Sequence, residues 1–132
     1  MSHMTQISVV IKDMAALEAA CNRLGLNLCR TKKEARYYGH NTKQCEAVIE
    51  VPTTAYDIGV VKYSDGSYRL EFDSYDMEGR QIEKKCGKGL GLLLQAYAAE
   101  KTKKEARIKG FTTTEERVED GTLRLRLRRA IA

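Results

Sequence analysis

The chain has 132 residues, of which 42% are hydrophobic and 31% charged, with a single proline, Pro52. That composition excludes a disordered or fibrous chain, and the length suits one α+β domain spanning residues 1–132. The net charge of +5 is uneven: residues 1–100 carry 13 basic and 13 acidic groups, whereas residues 101–132 carry 10 basic and 5 acidic ones. A basic surface at the C-terminal end is therefore expected, of the kind that attracts polyanions such as nucleic acid, acidic proteins or anionic membrane surfaces, without choosing among them. No run approaches the roughly 20 apolar residues of a membrane span, and MSHMTQISVV has no apolar signal core. A cytoplasmic protein with no membrane partner is the expectation.

Cys21, Cys29, Cys45 and Cys86 form no CxxC pair, and His3 and His40 are the two histidines. Zinc sites use paired, closely spaced ligands, so neither a metal nor another cofactor is expected, and the thiols read as core residues of a reducing compartment.

In chain order, Gln6–Lys12 alternates, with Ile7, Val9 and Ile11 on one face, and predicts a strand. Asp13 then caps a helix whose stripe is Met14, Leu17, Cys21 and Leu24, and Gly25 ends it. A short strand over Asn27–Arg30 leads into TKKEARYYGHNTKQ, a solvated loop or irregular hairpin turning at Gly39-His40-Asn41. QCEAVIEV alternates as a half-exposed strand, which Pro52 closes.

DIGVVKY and SYRLEFD flank Asp65-Gly66. A two-residue turn there pairs Tyr63 with Tyr68, Val61 with Leu70 and Gly59 with Phe72. Residues 74–89 read as a connection with at most one turn or a short strand. LGLLLQAYAAEKTKKEARI follows, a helix with Leu90, Leu93, Leu94, Tyr97, Ala98, Thr102, Glu105 and Ile108 on one face and Gly110 as its cap. The last pair of segments, FTTTEERV and TLRLRLRR, is a hairpin in which Leu123, Leu125 and Leu127 form a core face and Arg124, Arg126 and Arg128 the other. The predicted order is β-α-β-β-β-β-α-β-β, a two-layer sandwich of a mainly antiparallel sheet with two helices on one face. An uncovered sheet face or edge strand would favour a homodimer.

Several short pieces, in order, resemble one family. They are Met1-Ser2-His3, Glu34-Ala35-Arg36-Tyr37-Tyr38-Gly39, Ala47-Val48-Ile49-Glu50, Tyr56-Asp57-Ile58-Gly59, Gly110-Phe111 and Glu119-Asp120-Gly121. The chain resembles the hypothetical chloroplast reading frame 35 proteins, also called domain of unknown function 1257, from phages, bacteria and plastids. The resemblance implies a native N-terminal start, a single intracellular domain and no established chemistry. Its members' frequent neighbours are AAA-type ATPases, which implies an adaptor role with such an ATPase as partner. Residues 79–91 depart from the plastid form, so nothing is carried over to them.

Three candidate sites follow. Arg124, Arg126 and Arg128 recur about 6.6 Å apart on one strand face, a spacing that suits successive phosphates, with Lys103, Lys104 and Arg107 expected nearby. Against this, Glu115 is expected opposite Arg126, and the arginines also discourage edge pairing. Arg36 and Tyr38, with Tyr37, Gly39 and His40, could stack on a base and hold a phosphate, giving a nucleotide-like ligand site. Lys88, in the glycine-rich entry to the long helix, could assist an anion, although neither the Walker nor the dinucleotide pattern is met. Asp57, Asp73, Asp76 and Glu78 have no partner at a catalytic spacing, so no catalytic residue is assigned and an enzyme is not expected. The leading expectation is an accessory binding module that works through its basic C-terminal hairpin. The alternatives are a small-ligand protein and an ATPase adaptor.

Overall fold

A computed structural model describes residues 3–130; Met1 and Ser2, part of the start on which the resemblance draws, lie outside the described residues. The fold is α+β. Strands β1 (Met4–Gln6), β2 (Asn27–Cys29), β5 (Ala47–Glu50), β6 (Asp57–Lys62) and β7 (Tyr68–Asp73) form one antiparallel sheet in the order β1-β7-β6-β5-β2. Two separate hairpins accompany it, β3 (Glu34–Tyr37) with β4 (Asn41–Gln44), and β8 (Phe111–Arg117) with β9 (Leu123–Arg129).

The helices are α1 (Met14–Arg23), α2 (Asp76–Cys86) and α3 (Gly91–Ile108). The Asp13 carboxylate accepts the Ala16 N–H at 3.0 Å, capping α1 as its sequence predicts. At the other end the Leu26 N–H bonds the Cys21 carbonyl and the Gly25 N–H that of Asn22, the crossed pair that closes a helix through a left-handed glycine, here at φ +73°. The core lies between the sheet and the helices: Ile49, Ile58, Val60, Leu70 and Phe72 from the strands meet Leu17, Cys21, Ile82, Leu93 and Tyr97.

Five expectations need correction. The connection after Asp73 contains the 11-residue helix α2, a third helix on the core side. Its charges and Gly79 hide it, but that glycine is needed there because a Cβ would sit 2.3 Å from the Ser74 carbonyl carbon. The first strand ends early. Gln6 is opposite Glu71, yet Ile11 rather than residue 9 is opposite Tyr68, so two extra residues loop out and Val9 is exposed while Ile11 is buried.

Both hairpin turns hold three residues instead of two. Tyr63 donates to the Ser67 carbonyl and Val118 to that of Thr122, with Gly66 and Gly121 left-handed at the third loop position. Each register therefore moves by one: Val60 pairs with Leu70, and Glu115 faces Leu125 rather than Arg126. On α3 the predicted face holds only at the start, since Ala98, Thr102, Glu105 and Ile108 are exposed and Ala99 and Ala106 are buried instead. The helix packs on α1 and β8 as well as over the core. Finally, the leucine face of β9 is not core. No residue of β8 or β9 is buried, and Leu127 is 51% exposed.

Candidate functional site

The C-terminal hairpin meets α3 and is tied to the rest of the fold by an ion cluster. Glu115, on the inner face of β8, accepts from both terminal nitrogens of Arg23, at 2.7 and 2.9 Å, and lies 2.7 Å from Lys103 Nζ. Glu100 completes the cluster, 3.0 Å from Arg23. Arg23 first and Lys103 second hold the Glu115 carboxyl below its ordinary range. On the far face of the hairpin Arg124 and Arg126 share one carboxylate, Glu116, at 3.1 and 3.2 Å, with their side chains 57% and 67% exposed. Arg128 extends the same row opposite Thr112.

The sequence-predicted basic site thus divides. Arg124, Arg126 and Arg128 face away from α3, whereas Lys103 turns inward to Glu115 and Glu100, and Arg107 lines a cleft with Phe111 on that inner side. Lys104 is further off, 2.9 Å from Asp13 at the start of α1.

The second site builds on the other face of the sheet. The β3–β4 hairpin lies against β6 at Gly59, where a Cβ would be 3.4 Å from that of Ala35, an ordinary contact. Two buried carboxylates fix this wall. Asp57, 4% exposed, accepts the Arg36 N–H at 2.9 Å and the Nε and Nη2 of the same residue at 2.9 and 2.8 Å. Asp73, 0% exposed, accepts the backbone N–H groups of His3, Tyr75 and Tyr38 at 2.9, 2.9 and 3.2 Å.

Buried carboxylates are costly, and apolar residues of similar volume often stabilise as well or better, so their contribution here is to geometry. The result is a cleft of about 480 Å³ lined by Arg36, Tyr38, His40, Tyr56, Asp76 and Glu78, among others. His40 and Asp76 stand at φ +63° and +68°, two of the three left-handed non-glycine residues among those described. Such strain costs on the order of 1–3 kcal/mol per residue and collects at binding sites. The Thr54 hydroxyl and the Ala55 N–H hold Glu78 below its ordinary pKa. Burial first, and then Asp73, Asp76 and Glu78, push the Tyr56 phenol up.

A model of the family described as "Protein of unknown function (DUF1257)" matches residues 20–126, most of the chain. The chain belongs to the DUF1257 family. No curated protein and no solved structure matches it.

In this DUF1257 chain the third candidate, Lys88, sits in a helical turn between α2 and α3. The nearby Gly89 N–H already donates to the Glu83 carboxylate at 2.9 Å, which places a negative charge where an anion would bind. No helix among the described residues is long and apolar enough to cross a membrane, and no group of three metal-ligating side chains occurs among them. Sequence reasoning singled out Arg36 and Tyr38 but gave no part to Tyr56, Asp76 or Glu78 in that site. Their one legible signal is the run of carboxylates flanking Tyr56 and Tyr75, which becomes a cleft wall only when α2 is recognised as a helix.

Proposed function

We propose that this protein is a non-enzymatic accessory module whose C-terminal hairpin docks onto an acidic protein surface. The observation that carries this reading is the outer row of the hairpin. Three arginines project into water there against the single carboxylate of Glu116. Guanidiniums form charge-assisted hydrogen bonds with carboxylates, as Arg124 and Arg126 do with Glu116 on the neighbouring strand. A nucleic acid is less well served. The outer positions of the hairpin are Thr112, Thr114, Glu116, Val118, Thr122 and the three arginines, so no aromatic ring is present for stacking.

The test is fluorescence anisotropy with a labelled Glu-rich peptide and with single- and double-stranded DNA and RNA, at about 50 and 200 mM salt. The partner sample carries Arg124, Arg126 and Arg128 changed together to Glu. Peptide binding that weakens with salt and disappears in the folded variant supports the proposal. Nucleic-acid binding tighter than peptide binding, lost in the same variant, replaces the acidic protein by a nucleic acid. Equal behaviour of the two proteins removes the hairpin from the site.

A second reading is favoured by the cleft. Arg36 and Tyr38, singled out for a nucleotide-like ligand, line it together with Asp76 and Glu78. Those carboxylates repel a phosphate chain, so the ligand that fits is a nucleoside or free base, its ring against tyrosine and its N–H groups on carboxylate. Thermal stabilisation by nucleosides, exceeding that by triphosphates and lost in Glu78→Gln, supports it. The reverse order of ligands contradicts it.

A further inference from the structure

The outer arginines belong to a strand whose other edge is open. Hydrogen bonds from Val118 to Thr122 and from Ala130 to Gly110 show which pairs of this ladder bond directly. They are the even-numbered pairs, including Glu116 with Arg124, Thr114 with Arg126 and Thr112 with Arg128. The backbone N–H and C=O groups of Leu123, Leu125 and Leu127 consequently point outward from β9, and no backbone bond from another described element reaches them. The main sheet manages its edges differently. Its outermost strands, β1 and β2, are three residues long, whereas β9 offers seven.

The chemistry of β9 also selects what can pair with it. Successive residues alternate between an apolar side, Leu123, Leu125 and Leu127, and a guanidinium side. A second copy of the same strand, added antiparallel about a two-fold axis, places Arg126 opposite Arg126 and Arg124 opposite Arg128. Like charges directly opposite destabilise a ladder. Within the hairpin, by contrast, the neighbouring strand offers Glu116 to these arginines. A strand on the free side with the same chemistry would complete the row.

We propose that the free edge of β9 captures an extended segment of the partner protein as a third strand. Alternate residues of that segment are Asp or Glu, set against Arg124, Arg126 and Arg128, and the intervening residues are apolar, set beside Leu123, Leu125 and Leu127. Main-chain hydrogen bonds supply affinity and the alternating side chains supply choice of partner. This inference rests on the acidic-surface reading of the hairpin and adds the mode of docking and the sequence pattern of the partner.

The full chain is titrated with labelled peptides of about nine residues: one alternating Glu and Val, one of identical composition with the Glu and Val residues in separate blocks, and two alternating peptides N-methylated on one or the other set of alternate residues. Methylation blocks backbone donors without altering the protein. The expected result is binding of the alternating peptide at least about tenfold tighter than the block peptide. One methylated peptide binds as well as its parent and the other loses at least about tenfold, because only one set of donors faces β9. Equal affinity for all four peptides, abolished by the triple Arg→Glu variant, overturns strand addition and leaves the acidic-surface reading standing. Binding of any of them that the triple variant retains in full overturns both.

Discussion

The main sheet and the C-terminal hairpin are built from the same alternating patterns, yet one is finished and the other is not. In the sheet, β5 and β6 are covered on both sides: helices meet Ile49, Ile58 and Val60, and the β3–β4 hairpin meets Gly59 from behind. Its edges are short. The β8–β9 hairpin is covered only on the side that meets α3, and the outer edge of β9 is open. Its leucines remain partly exposed, its ion pairs to the body run through Glu115, and an isolated two-stranded ribbon is marginally stable in water. Apolar alternation therefore shows that a strand has two faces, and it does not show that either is covered.

The closed core has its largest expected effect on the thiols. Burial pushes Cys21 up to about 12 and Cys86 up to about 11, whereas hydrogen bonding from Thr31 lowers Cys29. Cys21 and Cys86 lie in the finished core and react only when it opens. Labelling with a neutral alkylating reagent, followed by mass spectrometry, is expected to modify Cys29 roughly 10³-fold faster than either, and comparable rates would mean that the core is loose. Next in size are matched truncations. Leu70→Ala, at a fully buried position, is expected to cost about 2–5 kcal/mol, and Leu125→Ala less than about 1 kcal/mol, both by denaturant unfolding. Equal losses would place the hairpin inside the cooperative core.

A smaller effect concerns the ionic hinge. Glu115→Gln is expected to cost about 1 kcal/mol or less, because its partners are partly solvated. The folded carboxyl of Glu115 is held below its unfolded value, so its contribution is complete above about pH 4.3 and is lost as the pH falls through the lowered folded value. The variant should lose that part of the acid dependence and leave the rest of the stability profile unchanged. A profile identical to the parent's would remove Glu115 as the hinge.

Much of the architecture is legible in the sequence because local signals agree with burial. Asp13, Gly25 and the stripe of α1 illustrate this, as does the turn at Gly39 between β3 and β4. Two of the misreadings each turn on one residue: the extra residue in each hairpin turn, and Gly79 in α2. A third loop residue before Ser67 or Thr122 moves every cross-strand pair by one, and that shift transfers Glu115 from the arginine row to the ion cluster beneath. Likewise, α2 rests on Gly79 fitting against the Ser74 backbone, a contact invisible to periodicity. At the candidate sites Arg124, Arg126 and Arg128 stand on one exposed face, while the buried positions of Asp57 and Asp73 come from a tertiary arrangement that no spacing reports.

The most direct test of the difference between the two regions is residue-resolved amide hydrogen exchange on the full chain. The hydrogen-bonded amides of β5, β6 and β7 should exchange only through global opening. Those of Glu116, Arg124 and Arg126 should exchange at least about 10²-fold faster. Adding the alternating Glu-Val peptide should slow the outward amides of Leu123, Leu125 and Leu127. Equal protection of hairpin and sheet in the free protein would contradict the account, since the hairpin would then be complete without a partner.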